Sequence, residues 1–170
     1  MPGVISVENL DPGLNCESPV LIELLRFWEH ARGKRPMPSR ADMDPLKLGP
    51  VLLPHILLID VEHEPEVRFR WRLIGTHITT VLNRDMTGAY WDEIYGGKSL
   101  ATMQLRADWV LQHRRPLRAT GHATSRGRDF ETLEALHLPL SDDGAKINMI
   151  IAASVYTLLN STDIAAREAA

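Results

Sequence analysis

Residues 117–157, which read LRATGHATSRGRDFETLEALHLPLSDDGAKINMIIAASVYT, decide the predicted fold. Three strand-like segments follow one another in this stretch, at residues 117–124, 132–140 and 146–157, with an Asp-Asp-Gly turn at residues 142–144 between the last two. Apolar residues occupy both faces of the third segment, which predicts that this strand lies in the middle of a sheet. The stretch therefore predicts a three-stranded antiparallel meander.

A second group of strands precedes the meander. Residues 56–61 form a short apolar run typical of a buried strand, and a tight acidic loop follows at residues 63–66. The next segment alternates apolar residues with arginines: Val67, Phe69, Trp71 and Leu73 against Arg68, Arg70 and Arg72. Because successive side chains of a strand point to opposite faces, the two sets are predicted on opposite faces of a hairpin.

Helical patterns surround these strands. Residues 18–33 begin with Ser18 as a cap and Pro19 at the first helical position, and one apolar face continues until Gly33. After the hairpin, Thr76 is predicted to cap a short helix that a left-handed Asn83 ends. A longer helix is predicted to begin near Ser99, with its apolar face formed by Leu100, Met103, Ala107, Val110 and Leu111.

This element order predicts the fold class α+β, with a five-stranded antiparallel sheet, helices over one face and an extra N-terminal helix. A chain of 170 residues with 44% hydrophobic and 24% charged residues suits one self-sufficient globular domain. Residues 1–17 lack periodicity and are predicted to form a flexible arm, residues 18–160 the domain, and residues 161–170 a C-terminal tail.

Composition limits the possible environments and partners. Cys16 is the single cysteine, which excludes an internal disulfide framework and a metal cluster of several thiolates. The sequence contains neither an export signal nor an apolar run of 18 residues, so we expect a cytoplasmic protein without a membrane partner. The net charge is only −3, and aromatic residues and arginines on opposite strand faces cannot hold one base together, so we expect no nucleic-acid partner.

Several dispersed motifs resemble a bacterial subfamily of PAS domains in which a leading helix precedes the usual strands. The resemblance covers about residues 28–157, most of the chain. Asn83 stands where such domains commonly have glycine, and asparagine also tolerates a left-handed backbone. The matching stretches are Pro38-Ser39-Arg40-Ala41-Asp42, Leu53-Pro54, Arg72-Leu73-Ile74-Gly75-Thr76, Arg84-Asp85-Met86-Thr87-Gly88 and Leu138-Pro139-Leu140-Ser141.

The resemblance implies a sensory or signalling module rather than an enzyme, one that binds a small ligand or a protein partner. Asp163-Ile164-Ala165 resembles the linker by which PAS domains commonly join an effector, and no effector segment follows it here. We therefore expect output through a separate signalling partner protein. The apolar stripe of the leading helix exceeds what one sheet edge needs, which predicts a homodimer through this helix.

A ligand site is predicted between the concave face of the sheet and the long helix. Apolar bulk with few polar groups suits a small organic ligand, although the same side chains could simply fill the core. The candidate pocket residues are Trp71, Tyr90, Trp91, Trp109 and Met149, with His77 and His122 as polar handles.

The cofactor remains unassigned. Cys16 lies before the domain, far from the helical segment in which flavin photosensors of this fold carry their cysteine. His77 and His113 are the helical candidates for haem, but a structural histidine or a helix-end cation explains each more simply. The acidic loop around His63 lacks the spacing that closes a tetrahedral metal site, so we expect no metal.

Two other functions are weighed against the sensory module. One is a small cone-shaped α+β enzyme or carrier that holds an acid-base pair in an apolar cavity, with His77–Asp85 or His122–His137 as the pair. We expect no catalytic residues, because no nucleophile motif or phosphate loop occurs. The other is a nucleic-acid binder, which a salt-dependent oligonucleotide shift would reveal.

Overall fold

The computed structural model describes residues 4–125 and 128–158, together with residues 166 and 169. For residues 4–8, 123–125, 128–131 and 158 it describes the backbone alone. The predicted linker motif at residues 163–165 lies outside the described residues.

Six antiparallel strands form one sheet, in the order β1-β4-β5-β6-β2-β3. The α+β class and the antiparallel sheet are confirmed, with one strand more than the five predicted. As its two apolar faces predicted, β6 lies in the interior of the sheet, between β5 and β2. The strands are β1 (Val4–Asp11), β2 (Ile56–Glu62), β3 (Arg68–Ile74), β4 (Leu117–Ser125), β5 (Arg128–Leu140) and β6 (Met149–Leu158).

Helices occupy the positions that the periodicity predicted, with small shifts at their ends. The N-cap of the helix after β3 is Gly75 rather than Thr76, and the long helix begins at Gly97 rather than Ser99. Asn83 adopts the predicted left-handed conformation, with φ of 51°. The helices are α1 (Pro19–Arg32), α2 (Gly49–Leu52), α3 (Thr76–Leu82), α4 (Trp91–Ile94) and α5 (Gly97–His113), with 3₁₀ turns at Pro45–Leu48 and Leu53–His55.

The sixth strand comes from the segment predicted as a flexible arm, and that prediction is wrong for residues 4–11. The carboxylate of Asp11 accepts hydrogen bonds from the backbone N–H groups of Gly13 and Asn15, so the Pro-Gly segment makes an ordered turn into α1. The same carboxylate contacts Arg118 on β4 at 3.2 Å. The arm thereby covers the edge of β4, to which β1 pairs from Val4 to Asp11.

The hairpin of β2 and β3 separates aromatic residues from arginines as predicted. Phe69 and Trp71 are buried on one face, whereas Arg70 and Arg72 contact the carboxylate of Asp60 on the other face. Leu73 departs from the prediction because the register shifts between Leu58 and Ile59. This irregularity brings Ile74, rather than Leu73, onto the face of Trp71.

The two faces of the sheet are covered by different helices. The outer face, which carries Asp60, Arg118 and Glu134, lies under α1, and the cavity face, which carries Trp71 and His137, lies under α3 and α5. On α1 the apolar stripe of Leu21, Leu24 and Trp28 is buried within this chain, and the Trp28 indole donates a hydrogen bond to the Pro139 carbonyl. Leu25, on the same stripe, is only partly buried.

The motifs that carried the resemblance are largely structural contacts. The Ser141 N–H donates to the carbonyl of Pro38, which joins the end of β5 to the segment after α1. A side chain at Gly75 would collide with the Pro54 carbonyl, so the glycine allows the start of α3 to lie against the turn before β2. Ile74, in the Arg-Leu-Ile-Gly-Thr motif, and Met86, in the Arg-Asp-Met-Thr-Gly motif, also border a cavity.

Candidate functional site

A small cavity separates the sheet from the helices on the cavity face. The cavity has a volume of about 30 Å³, which is room for about one or two water molecules. Leucine, isoleucine and methionine side chains form about half of its lining, and polar groups converge on it from α5, β5 and β6. The lining residues are Leu57, Ile59, Trp71, Ile74, Ile78, Leu82, Met86, Tyr95, Met103, Arg106, His137, Ser154 and Tyr156.

Trp71 and Tyr95 form one polar corner of the cavity. The indole N–H of Trp71 donates to the hydroxyl of Tyr95 at 3.2 Å, and that hydroxyl contacts the sulfur of Met86 at 3.4 Å. Burial raises the pKa of Tyr95, so the phenol keeps its proton at neutral pH. These contacts fix the aromatic corner in place.

Arg106 brings a positive charge into an otherwise apolar wall. The side chain lies on the buried face of α5 between Met103 and Val110, and the residue is 3% exposed. One terminal nitrogen donates to the sulfur of Met103 at 2.8 Å, while Nε has no hydrogen-bond partner among the described residues. Burial lowers the pKa of Arg106, which expresses the cost of desolvating its charge.

His137 faces the same cavity from β5. The residue is 5% exposed, and its Nδ1 has no hydrogen-bond partner among the described residues. Burial lowers the pKa of His137 well below its usual range, and the guanidinium of Arg106 lowers it further, so the imidazole is neutral. Of the three buried side-chain nitrogens without a partner in the described part of the chain, two therefore line this cavity.

Of the seven predicted pocket residues, Trp71 alone lines the cavity. Trp91 is 1% exposed and packs against Trp71, with ring centroids 5.0 Å apart, so it supports the wall from behind. His77 lies beside the cavity, where its Nε2 accepts a hydrogen bond from the backbone N–H of Tyr156 and its ring contacts His55. Burial lowers the pKa of His77, and the nearby His55 adds to this effect.

Tyr90 and Trp109 lie away from the cavity. The Tyr90 hydroxyl bonds to the carboxylate of Glu62 at 2.9 Å, and the Arg68 guanidinium lies over its ring. Trp109 stacks on His113, with ring centroids 4.1 Å apart, on the partly exposed side of α5. Both rings thus belong to the surface.

His122 and Met149 lie on the outer face of the sheet and do not line this cavity. His122 borders a groove beside Arg118 and Glu134 near the start of α1, and Met149 pairs with Asp60 across the ladder. The sequence placed both residues on strands but could not tell which face each strand turned to the helices. The missing information was the register of β4 and β6 against their neighbours.

The two acid-base pairs considered for an enzyme are not formed. His77 contacts Tyr156 and His55, whereas Asp85 accepts hydrogen bonds from Thr87. His122 and His137 lie on opposite faces of the sheet. The enzyme hypothesis therefore loses the residue pairs that supported it.

The residues considered as cofactor or metal ligands also lie outside the cavity. Cys16 is half-buried near Glu134 on the outer face, and His113 ends α5 with its Nδ1 at 2.9 Å from the Trp109 carbonyl. His63 contacts the carbonyl of Ile147. No group of three or more His, Cys, Asp or Glu side chains that could hold a metal occurs in the described part of the chain.

Arg106 and His137 were missed by sequence reasoning. Arg106 lies three residues after Met103 and four before Val110, so helical spacing already placed a charge within the predicted apolar face of α5. A charged residue that interrupts such a face is the signal that was overlooked. His137 was named only as a partner of His122, because its strand face was unknown.

One antiparallel sheet with a helix-covered cavity on one face defines the class: a small α+β domain with an interior site. A family model described as a PAS domain matches residues 16–153, well over half of the chain. The chain therefore belongs to the PAS domain family, whose members serve as sensory and signalling modules. No curated protein and no solved structure shows significant similarity to it.

None of the described helices is long and apolar enough to cross a bilayer.

Proposed function

We propose that this PAS domain is a sensory module that recognises a small ligand in the cavity beneath α5 and passes the event to a separate protein. The observation that carries the proposal is the pair of unpartnered buried nitrogens, on Arg106 and His137, that line one cavity. A buried polar group without a partner costs free energy, and a ligand that supplied the missing partner would recover it. The cavity therefore favours an occupied state.

The position of the cavity suits signal transmission. Its walls join α5 to β5 and β6, so a ligand that moves Arg106 acts on the helix and on the sheet together. β6 also bonds to α3 through the Tyr156 backbone and His77, close to the C-terminal end of the strand. A change in the cavity can therefore reach the end of β6 through directly bonded elements.

Native mass spectrometry of freshly purified protein, combined with an absorption spectrum, tests the proposal. We expect the wild-type protein to retain a small molecule. The Leu82→Phe variant, whose larger side chain narrows the cavity, should lose it, and the control variant Val51→Phe, changed at an exposed position, should keep it. Equal retention by both variants would place the ligand elsewhere. A wild-type protein that retains nothing and gains no thermal stability from any small molecule would contradict the proposed function.

The dimer through α1 stays a prediction: Leu21, Leu24 and Trp28 are buried within one chain, whereas Leu25 on the same stripe is partly exposed. Light scattering across a concentration series tests it, and a strict monomer would count against it. The expectations of a cytoplasmic location and of a non-enzymatic role stay predictions as well.

A further inference from the structure

Arg106 differs from Arg118, the other buried arginine among the described residues, in what neutralises it. Arg118 is 7% exposed, and its guanidinium contacts the carboxylates of Asp11 at 3.2 Å and Glu134 at 2.8 Å. Arg106 is more deeply buried, yet none of the described carboxylates pairs with it. Because a buried charge normally requires a partner, the acid that should face Arg106 is absent from the described part of the chain.

The neighbours of Arg106 cannot replace that acid. The Met103 sulfur is a weak acceptor, and His137 is a neutral imidazole because burial, and then the nearby guanidinium, lower its pKa. Tyr95, whose hydroxyl burial keeps protonated, borders the same space, and so does Tyr156. The site thus presents one cation and several neutral polar groups, which is the donor set for one monovalent anion.

The opposite wall determines the rest of the ligand. Leu57, Ile59 and Ile78 offer aliphatic contact and no hydrogen bonds from their side chains. Met86 and Met103 border the cavity, and unbranched methionine side chains reposition at low cost. A small cavity with a charged end, an aliphatic wall and adaptable methionines fits a compact molecule with an anionic head and a short apolar tail.

We propose that Arg106 binds the carboxylate of a short aliphatic acid of about two to four carbon atoms, with the tail against Ile59 and Ile78, and that the Met86 and Met103 side chains move to enlarge the cavity for it. This inference rests on the proposed sensory function and names the class of its ligand. The planar guanidinium matches the two carboxylate oxygens, and His137 supplies a further hydrogen bond. The ligand acts as the missing counter-ion of α5, so binding couples directly to the position of this helix.

The first test uses the wild-type protein and chemically matched probes. Thermal unfolding is measured with acetate, propionate and butyrate, with the neutral amides acetamide and propionamide, and with chloride as the ionic control. We expect the carboxylates to raise the melting temperature in a saturable way and chloride to leave it unchanged. Amides that stabilise the protein as well as the acids do would overturn the anion assignment while leaving the cavity function intact. No response to any probe, together with no retained ligand, would contradict both.

The second test changes the cation. Arg106→Met removes the charge but keeps an unbranched side chain, and Arg26→Met on the exposed side of α1 is the matched control. We expect Arg106→Met to melt at a higher temperature than wild type without ligand, because the unpaired charge is gone, and to bind propionate about 10- to 100-fold more weakly. A structural role for Arg106 predicts the reverse, a lower melting temperature with propionate affinity unchanged.

Arg106→Lys serves if the methionine variant fails to fold. It keeps the charge but loses the planar fork, so we expect binding to persist with affinity lowered about tenfold. Full retention of acid selectivity in a variant with a neutral residue at position 106 would overturn the proposal.

Discussion

At the scale of single residues, the cavity joins two groups whose properties depend on each other. Burial lowers the pKa of His137, and the buried charge of the neighbouring Arg106 lowers it further, so His137 is neutral. A neutral imidazole avoids a second buried cation in the same space. The pair explains why an apolar site of this size contains two nitrogens that lack partners among the described residues.

This coupling predicts a specific pH dependence of stability. In the folded state the pKa of His137 lies below its ordinary value of 6.5. Below about pH 6.5, His137 is therefore protonated in the unfolded chain but stays neutral in the folded protein. The wild-type free energy of unfolding should therefore fall by about 1–2 kcal/mol between pH 7.5 and pH 5.0 from this residue. His77, whose pKa is lowered by burial and by His55, contributes in the same direction.

Urea unfolding at both pH values, in buffers free of carboxylates, checks this prediction. His137→Gln should flatten the loss, because a glutamine cannot be protonated. The matched control is His30→Gln, at an exposed position on α1, which should lose stability like the wild type. A His137→Gln profile parallel to the wild type would show that His137 is not held neutral.

Gly75 gives a prediction about close packing. Its backbone lies against the carbonyl of Pro54, and an added methyl group would collide with main-chain atoms rather than with a movable side chain. Gly75→Ala should therefore lower the free energy of unfolding by about 1–3 kcal/mol. Gly96→Ala is the control, because nothing lies within 4 Å of an added Cβ there, and it should change stability by less than about 0.5 kcal/mol. Similar effects of the two substitutions would contradict the packing account.

At the scale of elements, Glu134 connects three parts of the chain. Its carboxylate accepts hydrogen bonds from the backbone N–H groups of Glu17 and Ser18 before α1 and from the guanidinium of Arg118 on β4. Arg118 in turn contacts Asp11 at the end of β1. Ser18 makes no side-chain capping bond, so the carboxylate from β5 serves the helix start that the sequence assigned to the serine.

Glu134→Gln should therefore loosen α1 and β1 together. The amide keeps the size of the side chain but loses the charge that balances Arg118, and we expect about 1–3 kcal/mol less stability. Hydrogen exchange should accelerate in residues 4–11 and at the start of α1, while β2 and β6 stay protected. Glu23→Gln, on the exposed side of α1, is the control. Unchanged exchange in both segments would show that the carboxylate does not hold them.

The helices and strands were easier to predict from sequence than the face of each strand that is turned to the helices. Period-two and helical spacing located β2 to β6, α1, α3 and α5, because each has a strong local pattern. β1 was missed because its stability comes from pairing with β4 and from the Asp11 contacts, which involve residues more than a hundred positions away. The pocket residues His122 and Met149 were misplaced for the same reason: the buried face of a strand depends on register with distant partners.

At the scale of the whole molecule, the two faces of the sheet differ in how their buried charges are paired. The outer face carries paired charges, with Asp60, Arg70, Arg118 and Glu134 in ion pairs. On the cavity face, α5 contributes the cation Arg106, which none of the described carboxylates pairs with. This asymmetry predicts that small anions act on one face alone, through α5 and the strands beneath it.

A high-resolution crystal structure of the protein, purified without added carboxylates and then soaked with propionate, tests the central claim most directly. The account predicts density for the acid in the cavity, with both carboxylate oxygens within hydrogen-bond distance of the Arg106 guanidinium and the tail against Ile59 and Ile78. An Arg106 side chain paired with a carboxylate of the protein itself, or a filled cavity without bound acid, would contradict it.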